Sequence, residues 1–148
     1  MDYDKSTLIE IVREHALRFG DFTLASGKKA TYYLDCRCVT LHPQGINQIA
    51  AGMLEVIARE YAYDPPQCVG GLAIGADPIT AGIVTLAGQQ HKDILGFMVR
   101  KEAKQHGMGR LIEGPAAPGM KAIVVEDVIT SGGSALQAAQ AARNFGLD

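Results

Sequence analysis

Lys121-Ala-Ile-Val-Val-Glu-Asp-Val-Ile-Thr-Ser-Gly-Gly-Ser134 decides how this chain folds. The apolar run from Lys121 to Val125 reads as a buried strand. Two consecutive carboxylates, Glu126 and Asp127, end it, and a hydroxyl- and glycine-rich turn leads straight into a helix over Ser134–Phe145. In open parallel sheets, ligands bind beyond the carboxyl ends of the strands. The helix N-terminus at that place offers unpaired backbone N–H groups and the positive end of its dipole. Gly132 and Gly133 let the backbone approach a phosphate, while Thr130, Ser131 and Ser134 add hydroxyl donors. Carboxylates beside a phosphate repel it unless something separates the two. A phosphorylated ribose does so: its 2′- and 3′-hydroxyls donate to Glu126 and Asp127 while its 5′-phosphate occupies the turn. The blander reading, in which Asp127 caps a turn and the glycines merely end a strand, loses ground because strand, acid pair, turn and helix occur in order. Neither GxxxxGK[ST] nor GxGxxG occurs, so this is not a nucleoside-triphosphate loop or a dinucleotide fingerprint.

Working outward, the clearest helical period begins after Pro43: Ile46, Ile49, Ala50, Met53, Leu54, Ile57, Ala58 and Tyr61 share one face. Cys68–Ile74 and Ile94–Val99 read as buried strands, with a helix from Pro78 through Ala87 between them. A first helix is expected over Thr7–Phe19, with Thr7 and Glu10 as a capping box. Phe22–Gly27 is expected to be extended and closed by a turn, followed by a strand over Ala30–Arg37. Strands alternating with helices predict an α/β fold with a parallel sheet covered on both faces. The chain stops at Asp148, just after a helix-ending Gly146, where such a pattern supplies another strand. The expectation is one domain over 1–148, truncated at its C-terminal end.

The 148 residues fit one hydrophobic core, and a mean hydropathy of +0.05 suits a soluble globular chain. A net charge of -2 argues against wholesale nucleic-acid binding. No secretory signal opens the chain and no apolar stretch approaches the ~20 residues that span a bilayer, so no membrane partner and a cytoplasmic location are expected. Cys36, Cys38 and Cys68 form no disulfide framework and are expected to be buried or idle thiols.

VVEDVITSGGS, from Val124 to Ser134, resembles the PRPP-binding signature of the type I phosphoribosyltransferases. The resemblance implies that Glu126 and Asp127 hold the ribose and that Val128, Ile129, Thr130, Ser131, Gly132, Gly133 and Ser134 hold its 5′-phosphate. A second cluster, Arg100-Lys101-Glu-Ala-Lys104-Gln-His106-Gly107, follows the Ile94–Val99 strand. Alone it reads as a solvated face. Beside a ribose-phosphate site, its cations suit a departing pyrophosphate, and Gly107 and Gly109 suit a loop that closes over the reaction.

RKEAKQHG resembles the catalytic loop of the orotate phosphoribosyltransferase family. FTLASGKKATYYLDCR resembles that family's base-side segment, and GLAIGADPI its pyrophosphate-side loop. These motifs run in order from Phe22 to Ser134. The resemblance implies a Rossmann-like parallel sheet with a small N-terminal hood, residues 1–40 forming the hood and 41–148 the α/β core. It implies transfer of 5-phosphoribose from PRPP to orotate, with Mg²⁺ bound mainly through PRPP and no metal site built by the protein alone. Arg100, Lys101, Lys104 and His106 are implied on the pyrophosphate, with Lys104, Asp127 and His106 the catalytic candidates. Thr130 and Tyr33 are implied on the orotate, and a homodimer shares the loop between subunits. Gly75 stands where some members carry a lysine, leaving Lys28 or Lys29 to substitute. The family also has an Arg for the orotate carboxylate beyond the position of Asp148. Two other readings remain open: a phosphoribosyltransferase for another base, and a non-catalytic PRPP-binding regulator.

Overall fold

The computed structural model describes residues 2–23, 27–102 and 111–148. Helix α1 (Lys5–Ile11) passes into a π-helical turn over Val12–Ala16, and a hairpin follows, β1 (Leu17–Thr23) with β2 (Lys29–Leu34). Next come α2 (Arg37–Thr40), α3 (Pro43–Glu60), β3 (Cys68–Leu72), α4 (Ala76–Gln89) and β4 (Leu95–Val99). The two-residue β5 (Ile112–Glu113), β6 (Ala122–Val124) and α5 (Gly133–Phe145) complete the order.

The larger sheet runs β5-β4-β3-β6. β3 lies parallel to β4 and β6, and β5 pairs antiparallel with β4, so the sheet is parallel except at one edge. The alternation of β3 serves two cores. Val69 joins Leu54, Ile79, Ile83 and Val125 under α3 and α4. Cys68 and Leu72 join Phe97, Val99, Ala138 and Ala142 under α5. Both faces of the sheet are covered, as its apolar strands require.

The N-terminal expectation needs correction. The helix expected over Thr7–Phe19 leaves regular α geometry at Ile11, and Leu17 is already extended. Its cap is Asp4, not a Thr7–Glu10 box: Asp4 accepts from the Ser6 backbone N–H at 2.9 Å and from the Thr7 hydroxyl at 2.6 Å. Hairpin pairing overrides helical spacing, with Leu17 opposite Leu34 and Phe19 opposite Tyr32. Phe19, expected on the buried face, is 80% exposed. The strand expected through Arg37 stops at Leu34, and Arg37 opens α2. Residues 24–26 of the expected turn lie outside the described residues.

Candidate active site

Because β4, β3 and β6 are parallel neighbours, their carboxyl ends meet along one rim of the sheet. β4 delivers Arg100 and Lys101 there, β3 delivers Ala73–Gly75, and β6 delivers Glu126 and Asp127. Two bonds beyond the regular ladders tie these ends together. Val125 N–H donates to the Gly70 carbonyl at 2.8 Å, and Ala73 N–H to the Val99 carbonyl at 2.8 Å.

Two adjoining cavities open on this rim. One, of about 270 Å³, is walled by Tyr33–Arg37, Leu72–Gly75, Lys101, Glu126, Asp127, Val128 and Ser134. The other, of about 150 Å³, lies against the turn, from Val128 through Ala135, with Glu126. Glu126, Val128 and Ser134 belong to both. Gly132 adopts φ +79°, a left-handed conformation that glycine takes without strain, at the N-terminus of α5.

The acid pair is held from several sides. Asp127 N–H donates to Glu126 Oε1 at 3.3 Å, and Val128 N–H donates to Asp127 Oδ1 at 3.0 Å. Glu126 Oε2 is buried and has no hydrogen-bond partner among the described residues. Burial pushes the Glu126 carboxyl above its ordinary range, the side-chain hydrogen bond and charge of Asp127 add to the rise, and the Asp127 backbone N–H and Lys101 oppose it. Gly75 backs onto Asp127: a Cβ there would stand 2.6 Å from Asp127 Oδ1. A side chain at position 75 would therefore require the Asp127 carboxylate to shift.

Most of the residues singled out by sequence come together. Tyr33, Lys101, Glu126, Asp127, Val128 and Ser134 wall the larger cavity, and Ile129, Thr130, Ser131, Gly132 and Gly133 the smaller. The Tyr33 ring is braced by Phe22, with centroids 5.8 Å apart. Thr130 and Tyr33, both expected at the base, line different cavities. Arg100 belongs to a neighbouring cavity with Asp77 and Glu113, and its Nη1 lies 3.5 Å from Glu113 Oε1. Lys104 and His106 lie outside the described residues. Lys29 donates to the Thr23 hydroxyl at 3.0 Å, so its contact is within the hairpin.

Asp35, Cys36 and Arg37 also wall this cavity; sequence placed them in the base-side segment but gave them no role of their own. Cys36, expected to be idle, is half-buried in the cavity wall, and its thiol is pushed up by burial and then by Asp127 and Asp35.

No family model matches the chain. It is 60% identical over 148 residues to an orotate phosphoribosyltransferase of Rhodopirellula baltica, covering 98% of this chain and 76% of that protein. Among solved structures, a Mycobacterium tuberculosis orotate phosphoribosyltransferase crystallised with Fe(III) dicitrate is similar with a TM-score of 0.80 and 40% identity. That match covers 97% of this chain and 78% of the other. The same enzyme in complex with PRPP gives a TM-score of 0.76 at 34% identity, covering 97% of this chain and 76% of the other.

Proposed function

The chain belongs to the orotate phosphoribosyltransferase family, and from that premise we infer that it transfers the 5-phosphoribosyl group of PRPP to N1 of orotate. The products are orotidine 5′-monophosphate and pyrophosphate, a pentosyl transfer of de novo pyrimidine synthesis. One observation carries the reading: two cavities of different chemistry share Glu126, Val128 and Ser134. A molecule with a phosphate at one end and hydroxyls next to it fits across that shared wall.

In this reading the Val128–Ser134 turn holds the 5′-phosphate through backbone N–H groups and hydroxyls. Glu126 and Asp127 accept hydrogen bonds from the ribose 2′- and 3′-hydroxyls, which gives the unpartnered Glu126 Oε2 a donor. Lys101 sits beside the acid pair on the pyrophosphate side, with Arg100, Lys104 and His106 completing that group. The bond from C1 to the pyrophosphate oxygen breaks as the bond to orotate N1 forms. Its electron pair leaves with pyrophosphate, and N1 gives up its proton. Asp127 steadies the positive charge growing on the sugar, Lys104 steadies the leaving group, and His106 supplies a hydrogen bond or proton to it. Tyr33 faces the orotate from the larger cavity, and Thr130, in the turn that walls the smaller one, touches the orotate as well as the phosphate.

Bound Mg²⁺ supplies neutralisation of the pyrophosphate charge. The chain fits an ion that the substrate's own oxygens mainly hold. Glu126 and Asp127 offer hard oxygen atoms at the wall of the larger cavity. A homodimer in which some residues of the Arg100–His106 loop serve the neighbouring subunit belongs to the same reading: Lys101 lines this chain's acid-pair cavity, while Arg100 stands outside it. Free Cys36, Cys38 and Cys68 support a cytoplasmic setting, and no helix among the described residues is long and apolar enough to cross a membrane.

Steady-state assays with PRPP and orotate, uracil, adenine or hypoxanthine test the reading. Pyrophosphate release is expected with orotate alone. Turnover of a purine without orotate would replace the acceptor, and PRPP binding with no release on any base would make the chain a regulator.

A further inference from the structure

Arg100 and Glu113 meet at the foot of the segment that supplies the pyrophosphate cations. β5 returns along β4 with Val99 opposite Ile112 and Met98 opposite Glu113, and the Arg100 N–H donates to the Leu111 carbonyl at 2.8 Å. In this register Glu113 and Arg100 are diagonal neighbours on one face of the antiparallel pair, a spacing that long side chains bridge. The ladder thus brings Arg100 Nη1 to 3.5 Å from Glu113 Oε1. Both side chains line a cavity of about 520 Å³ together with Asp77, whose Oδ1 is buried without a hydrogen-bond partner among the described residues. Ala73, Ile74 and Lys101 wall both this cavity and the one that holds the acid pair. Arg100 therefore rests among carboxylates, one shared wall away from the acid pair.

Such a pair suits exchange. The two side chains are 44% and 37% exposed, and a single long contact between half-solvated charges contributes little to stability. It nonetheless fixes where the guanidinium waits. A pyrophosphoryl group carries more charge and more acceptor oxygens than one carboxylate, so it wins the guanidinium when both are within reach. We propose that Glu113 is a positioning residue: it holds Arg100 between turnovers, and the pyrophosphoryl group of PRPP takes the guanidinium from it. Glu113 then competes with PRPP, and its carboxylate lowers PRPP affinity through Arg100. The exchange is the same whether the pyrophosphate belongs to this subunit's site or the neighbour's, because Arg100 starts from Glu113 in either case. The proposal rests on the transferase reading above and adds to it a counter-ion for one of its cations.

The test titrates PRPP and inorganic pyrophosphate, with Mg²⁺ present, into wild type, Glu113→Gln, Arg100→Ala and the double variant by calorimetry, with melting curves to verify folding. Binding of PRPP to wild type checks the transferase reading first. Its absence defeats that reading and the proposal with it, whereas with binding established the variants decide the proposal alone. Glu113→Gln keeps the shape of the side chain and is expected to bind PRPP and pyrophosphate each about two- to fivefold more tightly, the size of an exposed ion pair. KM for orotate should stay within about twofold. Arg100→Ala should weaken PRPP, and adding Glu113→Gln to it should change nothing further, because the carboxylate then has no guanidinium to hold. Loss of a merely structural contact would lower melting or weaken binding, and would not tighten PRPP. Equal tightening in both backgrounds would make Glu113 a general source of repulsion and overturn the proposal. So would weaker or unchanged PRPP binding in Glu113→Gln, or an Arg100→Ala variant that binds PRPP as tightly as wild type.

Discussion

Glu126 holds the chemistry and a stability cost in one carboxyl group. Burial pushes it above the ordinary 4.5, and Asp127 adds to the rise. The unfolded chain loses this proton near 4.5 while the native state retains it to higher pH, so the native state binds more protons in between. The stability this group contributes is complete below the unfolded value and is lost as pH rises through the native one. Glu126→Gln keeps the shape and removes the charge. Its melting temperature is expected to exceed that of wild type by about 2–4 °C at pH 8, with the gap closing toward pH 4. PRPP affinity of the same variant, read by calorimetry, should fall about tenfold for loss of a charged acceptor. Equal melting at pH 8 would mean that ionised Glu126 is already compensated in the free protein. The carboxylates, hydroxyls and glycines of this turn were legible because chemistry and order coincide in one short run of sequence. Asp35, Cys36 and Arg37 were legible only as the end of a longer segment, because they join the cavity wall only when the end of β2 meets the end of β6.

Elements place those residues, and β3 does so by having two consecutive glycines, Gly70 and Gly71, near its carboxyl end. A Cβ at Gly71 would stand 2.1 Å from the Val125 carbonyl oxygen and 2.6 Å from the Ala76 Cβ. The close approach of β3, β6 and the start of α4 therefore depends on glycine. Gly71→Ala must push β6 outward and carry Glu126 with it. We expect a loss of about 1–3 kcal/mol or more by urea unfolding, together with weaker PRPP binding. Gly88→Ala in α4 provides the contrast, since nothing lies within 4 Å of its added methyl. It should be neutral or gain about 0.4–1 kcal/mol. Similar losses at both positions would show that packing at the rim is not the cause. At this scale the long amphipathic helix α3, the strands β3, β4 and β6, and α5 were readable from periodicity and punctuation. The end of α1 was not, since Val12, Ala16 and Phe19 keep helical spacing while the pairing of β1 with β2 takes the chain elsewhere. Nor was β5, whose two residues form a strand only because β4 offers its edge.

For the molecule as a whole, the site exists only when three distant stretches of sequence converge: the hairpin end, the β3–β4 rim and the turn after β6. The ribose side was legible from one contiguous segment, whereas the geometry of the base side depends on the hairpin's position and the pyrophosphate side includes residues outside those described. If the Arg100–His106 loop serves a neighbouring subunit, catalytic groups can be separated genetically. Lys104→Ala removes the leaving-group cation and Asp127→Ala the group that steadies the sugar, so each variant alone should show kcat reduced by about a hundredfold or more. Unfolding them together and refolding as an equimolar mixture makes about half of the dimers mixed. In a mixed dimer, one site combines an intact Asp127 with the intact Lys104 of the other subunit, while the second site has neither. Activity should then recover to about a quarter of wild type, because half of the dimers each carry one working site of two. Recovery of that size, measured as pyrophosphate release per total subunit, requires loops exchanged between subunits. No recovery in mixtures shown by native mass spectrometry to contain mixed dimers would place both residues in the same subunit's site.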